Sequence, residues 1–331
     1  MSVDQLLNVN GGKLLIKISI AILAIYLLLN TGSLDFYSIV IVFDYPYLFS
    51  LALICLFLGI IISGVRWWIL LGVTENNISI RTILSIQLMG GFFSSWLPGA
   101  AGGDAVKGVL LFKLLDSKRS TALASIAIDR LFAVFGLFSI ALCASLFIST
   151  TDYQNEVLEF YFHMLNWGIL FCVLIFCSIF MVIWSIKFFS LYSLFPIAIR
   201  SYLSPLGQII MYYKRAWFRL ILSGMLSMLA SGVVIIGMVF ISMMYDYAAS
   251  PAVTAIAGVI GNVSSVIPIT PGGIGVGEAV FAKISSDFSG SFAPFATIYF
   301  TFRIGMLIAN IPGMLITLAY SNTRHRELNN N

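Results

Sequence analysis

The 331-residue sequence predicts an all-α polytopic membrane protein, built from six full spans and two Pro/Gly-broken re-entrant helical hairpins. Three observations carry the prediction. The chain is 60% hydrophobic and only 10% charged, where soluble domains carry roughly 25% charge, and its mean hydropathy is +1.01. Its apolar residues gather in runs of membrane-spanning length, roughly 20 residues each. Its charges fall between those runs with a consistent sign on each side. No stretch is left for a soluble catalytic domain. The 18 Lys and Arg are scattered through short loops, so nucleic acid is not an expected partner. Four cysteines inside apolar runs and two distant histidines give no disulfide or metal framework, and no cofactor is expected.

The elements follow in order. An apolar run over 13–29 behind Lys13 and Lys17 resembles a signal peptide, but its length and poor cleavage site favour an uncleaved signal anchor. Full spans are then expected over 47–65, 122–148, 164–186, 217–244 and 292–320. Two further segments, 83–97 and 252–269, are short, contain Gly, Gln, Asn and Ser, and stop at prolines followed by glycines, Pro98-Gly99 and Pro271-Gly272. Each resumes as a second short segment, 105–115 and 275–284. Paired half-length segments suggest re-entrant hairpins, which a bilayer tolerates where the unwound backbone is buried in protein or lines a watery cavity. Residues 187–219 mix aromatic, aliphatic and basic residues with two prolines and read as an amphipathic connector on the cytoplasmic surface.

Charge placement supports this topology. If each broken region enters and leaves on one side, Lys13, Lys17, Arg66, Arg81, Lys107, Lys113, Lys118, Arg119, Lys187, Arg200, Lys214, Arg215, Arg219, Arg324 and Arg326 fall on or near one face. The other face collects Asp35, Asp44, Asp152, Glu156, Glu159, Asp246 and Asp287, with Lys283 as its one cation. The positive-inside rule then puts both termini in the cytoplasm. Arg66-Trp67-Trp68 reads in this scheme as an interfacial anchor.

The broken regions also resemble each other. Ser94-Ser95-Trp96-Leu97-Pro98 aligns with Ser264-Ser265-Val266-Ile267-Pro268, and a glycine-rich turn follows each: Gly102-Gly103-Asp104 in one, Gly272-Gly273 through Glu278 in the other. Arg130 lies 26 residues after Asp104, and Arg303 lies 25 after Glu278. Three expected crossings separate the copies, so the halves, about 81–148 and 250–320 of one integral membrane domain, point in opposite directions. Inverted repeats with broken helices near the midplane are typical of secondary transporters.

Asp104, Asp129, Arg130, Glu278 and Arg303 are the ionisable groups that this topology leaves at membrane depth, where each calls for a partner or a cavity. Two readings stand side by side. Asp104 with Arg130 and Glu278 with Arg303 form structural salt bridges, or the carboxylates cap helices. Alternatively, half-helix N-termini, the glycines (Gly102, Gly103, Gly272, Gly273) and the two arginines form a site for an anionic headgroup. Ser94, Ser95, Asn262, Ser264, Ser265 and Gln87 are candidate liners, although small and hydroxylated residues equally serve helix packing.

The Ser-x-x-Pro and Gly-Gly-Asp104 segments, the Asp129-Arg130 pair and the Pro271-Gly-Gly-Ile-Gly-x-Gly-Glu278 stretch resemble the transmembrane region of lysylphosphatidylglycerol synthases, a flippase-like integral membrane family. The resemblance spans roughly Lys13 to Tyr320. It implies movement of an anionic phospholipid or polyprenyl-phosphate-linked lipid between leaflets of a bacterial inner membrane. No aminoacyl-transfer domain is expected in this chain, so the resemblance does not imply the synthase activity. The implied partners are the membrane lipid substrate and a lipid-modifying synthase or glycosyltransferase. Two alternatives stay open: a small-solute or ion-coupled secondary transporter, and a non-transporting partner of a membrane glycosyltransferase. An enzyme is not expected, because no nucleophile–base pair or metal motif is visible.

Overall fold

The protein is described here from a computed structural model. It describes residues 25–75, 78–96, 101–115, 119–147, 215–266 and 273–319, with a few isolated positions between. The expected span over 164–186, most of the one over 13–29, most of the connector and Gly272 lie outside the described residues.

Among the described residues the regular structure is entirely helical. A short 3-10 turn, Tyr37–Phe43, leads to α1 (Pro46–Leu71), which begins on a proline at its first position. Proline suits that place because its missing N–H would have no intrahelical partner there. Then come α2 (Ile80–Trp96), α3 (Ala101–Leu114), α4 (Arg119–Ser145), α5 (Trp217–Ser242), α6 (Pro251–Ser265), α7 (Val276–Ser289) and α8 (Phe295–Ala309). Ser250 caps α6, its hydroxyl accepting the Val253 N–H at 3.4 Å, with Pro251 at the first helical position. Past Asn310 the helix of α8 resumes to residue 319, where Gly313 lies against the Leu88 carbonyl of α2.

Among the described residues four helices are long and apolar enough to cross a membrane: α1, α4 from Thr121, α5, and α8 with its continuation, Phe295–Ala319. At 1.5 Å per residue, the 26 residues of α1 reach about 39 Å, more than the roughly 30 Å of a hydrocarbon core. The packing of α5 shows what solvent it faces. Its buried side carries Ser223, Ser227, Ala230, Ser231, Gly237 and Ser242 together with Ile235, Met238 and Ile241, while Phe218, Ile221, Met225, Leu229 and Ile236 point outward. Small residues at the close contacts and large apolar residues outside is the pattern of a helix in lipid, where close backbone approach drives association.

Helices α1 and α5 form the central pair and run antiparallel. Gly237 sits against Ala52 and Cys55, Gly59 against Ala230 and Val234, and Arg219 donates to the Gly72 carbonyl. The short helices attach as two pairs, α2 with α3 against α1 and α4, and α6 with α7 against α5 and α8. The chain leaves α1 and enters α4 at one end of the bundle, where Trp67, Leu71, Ile83, Leu111, Leu115 and Ala122 form one cluster. That cluster holds the start of α2 and the end of α3, so this pair opens there. The chain leaves α5 and enters α8 at the opposite end, where Tyr245 hydrogen-bonds Thr301 at 2.7 Å and Tyr247 packs edge-on against Phe295. Short connections on either side, 243–250 and 290–294, make α6–α7 open at that opposite end.

Within each pair a glycine–serine contact sets the approach. A Cβ at Gly103 would stand 2.0 Å from Ser94 Oγ and 2.2 Å from the Gly90 carbonyl oxygen, and one at Gly277 would stand 2.2 Å from Ser265 Oγ. Gly90 precedes Ser94 by four residues, as Gly261 precedes Ser265. These contacts pair Ser94 with Ser265. The proline-anchored alignment pairs it with Ser264 and is therefore off by one residue in the packed helices.

The end where α6–α7 opens is tied down locally. Asp35 accepts the Tyr37 N–H at 2.9 Å and the Ser38 hydroxyl at 2.5 Å, and the Ser38 bond is the main reason its carboxyl lies below the ordinary aspartate range. Helix α7 stops at Gly290, φ 62°, a left-handed C-cap. Gly290→Ala is expected to lower stability by about 1 kcal/mol, through backbone conformation alone because no atom lies within 4 Å of its added Cβ. Thermal unfolding in detergent reads that shift.

Candidate functional site

Between the two short-helix pairs lies a cavity of about 430 Å³, walled by α1, α2, α4, α5, α6 and α8 with Lys107 reaching in from α3. Its polar lining includes Ser63, Gln87, Ser94, Asn262, Ser265, Tyr299 and Asn310, and its charged lining is Arg66, Lys107, Asp129, Arg130 and Arg303.

Arg66 and Asp129 form the most buried pair, 3% and 6% exposed. Arg66 Nε donates to Asp129 Oδ1 at 2.9 Å and Nη1 to Ser227 Oγ at 3.0 Å, joining α1, α4 and α5. Trp67 beside it is fully buried, with Nε1 donating toward Ser125 Oγ at 3.4 Å. The interfacial-anchor reading of Arg66-Trp67-Trp68 is thus corrected. Only Trp68 keeps a partly exposed ring, while Arg66 and Trp67 turn inward, because the small faces of α4 and α5 leave a polar slot against α1.

The two pairings expected from spacing are present. Arg130 grips Asp104 in bidentate fashion, Nε to Oδ2 at 2.6 Å and Nη2 to Oδ1 at 2.5 Å. This fork geometry matches a guanidinium to a carboxylate or phosphate. Arg303 Nε lies 2.7 Å from Glu278 Oε1, too far off line for a hydrogen bond. Its Nη2 donates to the Gly273 carbonyl at 3.0 Å and to Glu278 Oε2 at 3.3 Å. Glu278 is 1% exposed and its Oε2 also accepts the Gly275 N–H at 2.8 Å, so it caps α7 as well as pairing. The turn that presents these groups needs glycine: Gly273 and Gly275 have φ of 69° and 84°, a region side chains disfavour.

Asn262 and Ser265 line the cavity as expected and are bridged by Tyr299, whose hydroxyl donates to Asn262 Oδ1 at 3.1 Å and lies 3.2 Å from Ser265 Oγ. Ser94 lines it from α2. Ser264 is not among the lining residues, and the Ser95 side chain lies outside the described residues. Gly103 is a packing position on α3, Gly102 lies beside it in the same helix, and Gly273 contributes its carbonyl to Arg303. Asp104 and Glu278 do not line the cavity; they stand behind the guanidiniums.

Sequence reasoning missed Lys107, Tyr299 and Asn310. Lys107 was assigned to a membrane face; it is 6% exposed. Gly103, Lys107 and Leu111 form an i, i+4 stripe buried against α2, and Lys107 Nζ lies 5.2 Å from the Trp67 ring centroid. Among the described residues it makes no ion pair. Insertion scales put an unpaired cation at membrane depth at about 2.5–3.5 kcal/mol. Tyr299 was legible in principle, since it precedes Arg303 by four residues and shares its helix face.

The large apolar residues that α5 turns outward, the four long apolar helices among the described residues and a cavity lined by paired charges define a multi-pass helical membrane protein. The chain belongs to the lysylphosphatidylglycerol synthase TM region family, which matches residues 14–313. Neither a curated protein nor a solved structure matches it.

Proposed function

We propose that the protein moves an anionic lipid, a phospholipid or a polyprenyl-phosphate-linked lipid, between the leaflets of a bacterial inner membrane. It acts as a carrier with no catalytic step, and both termini are cytoplasmic. One observation carries the reading: four cations converge on one cavity between two short-helix pairs that open to opposite ends of the bundle. Each pair is read as a re-entrant hairpin, and the helices α2–α4 and α6–α8 as an inverted repeat. Rocking one repeat against the other would expose the site alternately to each leaflet. In the empty site the carboxylates Asp104 and Glu278 hold the guanidiniums in place, and a headgroup phosphate competes for the same donors. A lipid-modifying synthase or glycosyltransferase would supply or consume the lipid.

Reconstitution into vesicles with a fluorescent anionic lipid, followed by quenching of the outer leaflet, measures exchange. Arg130→Ala and Arg303→Ala are each expected to slow protein-dependent exchange by about tenfold or more, the loss of roughly one charge-assisted bond to the moving headgroup. Unchanged exchange in both variants would refute the headgroup site.

A further inference from the structure

We infer that Lys107 is the anion anchor of this cavity, and that the lipid it takes carries a single negative charge, as a phosphodiester does. The inference rests on reading the cavity as a headgroup site and narrows the substrate to one charge class.

The charges themselves lead to it. Each of the three guanidiniums already has its own carboxylate: Arg66 with Asp129, Arg130 with Asp104 and Arg303 with Glu278. Lys107 is the remaining charge in the cavity, and its charged neighbours, Asp104, Asp129, Arg66 and Arg130, cancel in sign. Four cations against three carboxylates leave one excess positive charge, located on a side chain that is 94% withdrawn from solvent and lines the cavity. A bound group with one negative charge brings the site to neutrality; a zwitterion leaves it positive and a dianion leaves it negative. In a low-dielectric site either imbalance is penalised.

The surroundings of Lys107 also serve a phosphodiester. Its stem runs across Gly90, where a Cβ would stand 2.7 Å from Cγ and 2.8 Å from Cε, so glycine there opens the lane that the ammonium uses. The Trp67 face supports the cation without neutralising it, since an aromatic quadrupole carries no net charge. Gln87 Oε1 and Asn310 Oδ1 are buried without hydrogen-bond partners and line the same cavity. They can accept from the Lys107 ammonium itself or from hydroxyl donors on the headgroup beyond the phosphate.

The test is lipid competition for the detergent-solubilised full chain, read by native mass spectrometry. The probes are phosphatidylglycerol (one charge), phosphatidylethanolamine (zwitterion), phosphatidic acid above its second pKa (close to two charges) and inorganic phosphate. Phosphatidylglycerol is expected to be retained over each of the other two lipids by about tenfold, as one charge-assisted bond gives. Lys107→Met should remove that preference and Lys107→Arg should keep most of it. If Lys107→Met does not fold, Gly90→Ala substitutes for it, since it displaces the ammonium while keeping the charge, and it should reduce the preference several-fold. Phosphatidic acid binding as well as phosphatidylglycerol overturns the single-charge assignment. Inorganic phosphate displacing the lipid at equal concentration overturns the lipid assignment. A preference kept in Lys107→Met but lost in Arg303→Ala removes Lys107 while leaving the headgroup site standing. No preference in the wild type removes both.

Discussion

Asp129→Ala is expected to destabilise the folded protein by about 3–5 kcal/mol, the cost of leaving a buried charge without its partner. The buried charge is Arg66, 3% exposed, held by Asp129 Oδ1 at 2.9 Å and by Ser227 Oγ at 3.0 Å. Removing the carboxylate leaves the guanidinium one neutral acceptor in a slot between three helices. Replacing both charges with apolar residues of similar volume, Arg66→Met with Asp129→Leu, should recover most of the loss, because a well-packed apolar pair often matches a buried ion pair. Denaturant titration in mixed micelles of the two single variants and the double variant gives the coupling directly. Additive losses would show that the two side chains do not act as a pair.

Gly103→Val carries the second large effect, about 1–3 kcal/mol or more from overpacking. The first atom added would meet Ser94 Oγ at 2.0 Å and the Gly90 carbonyl at 2.2 Å, and the second of these is backbone and cannot rotate away. The α2–α3 pair would have to separate, carrying Ser94 and Lys107 with it. Gly108→Ala, one turn further along α3, is the control: its Cβ would find nothing nearer than 3.8 Å. There the better helix propensity of alanine, about 1 kcal/mol, should leave stability equal or raised. Thermal unfolding of both variants separates close approach from general sensitivity of the helix. Equal losses at 103 and 108 would contradict the packing described for Gly103.

Much of the architecture was legible because lipid imposes simple rules. Apolar length places α1, α4, α5 and α8 to within a few residues, apart from α1, which runs six residues past the expected 65. The Pro/Gly breaks mark both short-helix pairs. The spacing of Asp104 to Arg130 and of Glu278 to Arg303 was enough to propose both ion pairs, since one carboxylate and one arginine stood near each break. What failed was the depth of charges close to helix ends. Arg66 and Lys107 adjoin loops in sequence, so charge bookkeeping puts them on a face. Burial is decided by what packs alongside, and no single-sequence pattern reports that Ser227 and Asp129 meet Arg66, or that Gly90 clears a lane for Lys107. The one-residue error in pairing Ser94 has the same origin: prolines mark where helices stop, while close contacts set how they interlock.

The cavity between the two helix pairs is proposed to hold an anionic lipid headgroup. An experimental structure of the full chain in lipid nanodiscs, with mass spectrometry of the co-purified lipid, tests it most directly. The expected result is elongated density that enters the cavity between α2 and α6, with its headgroup end within hydrogen-bonding distance of Lys107 or Arg303, and enrichment of an anionic lipid over the bulk membrane. A cavity holding water alone, with co-purified lipid no different from bulk, would contradict the claim.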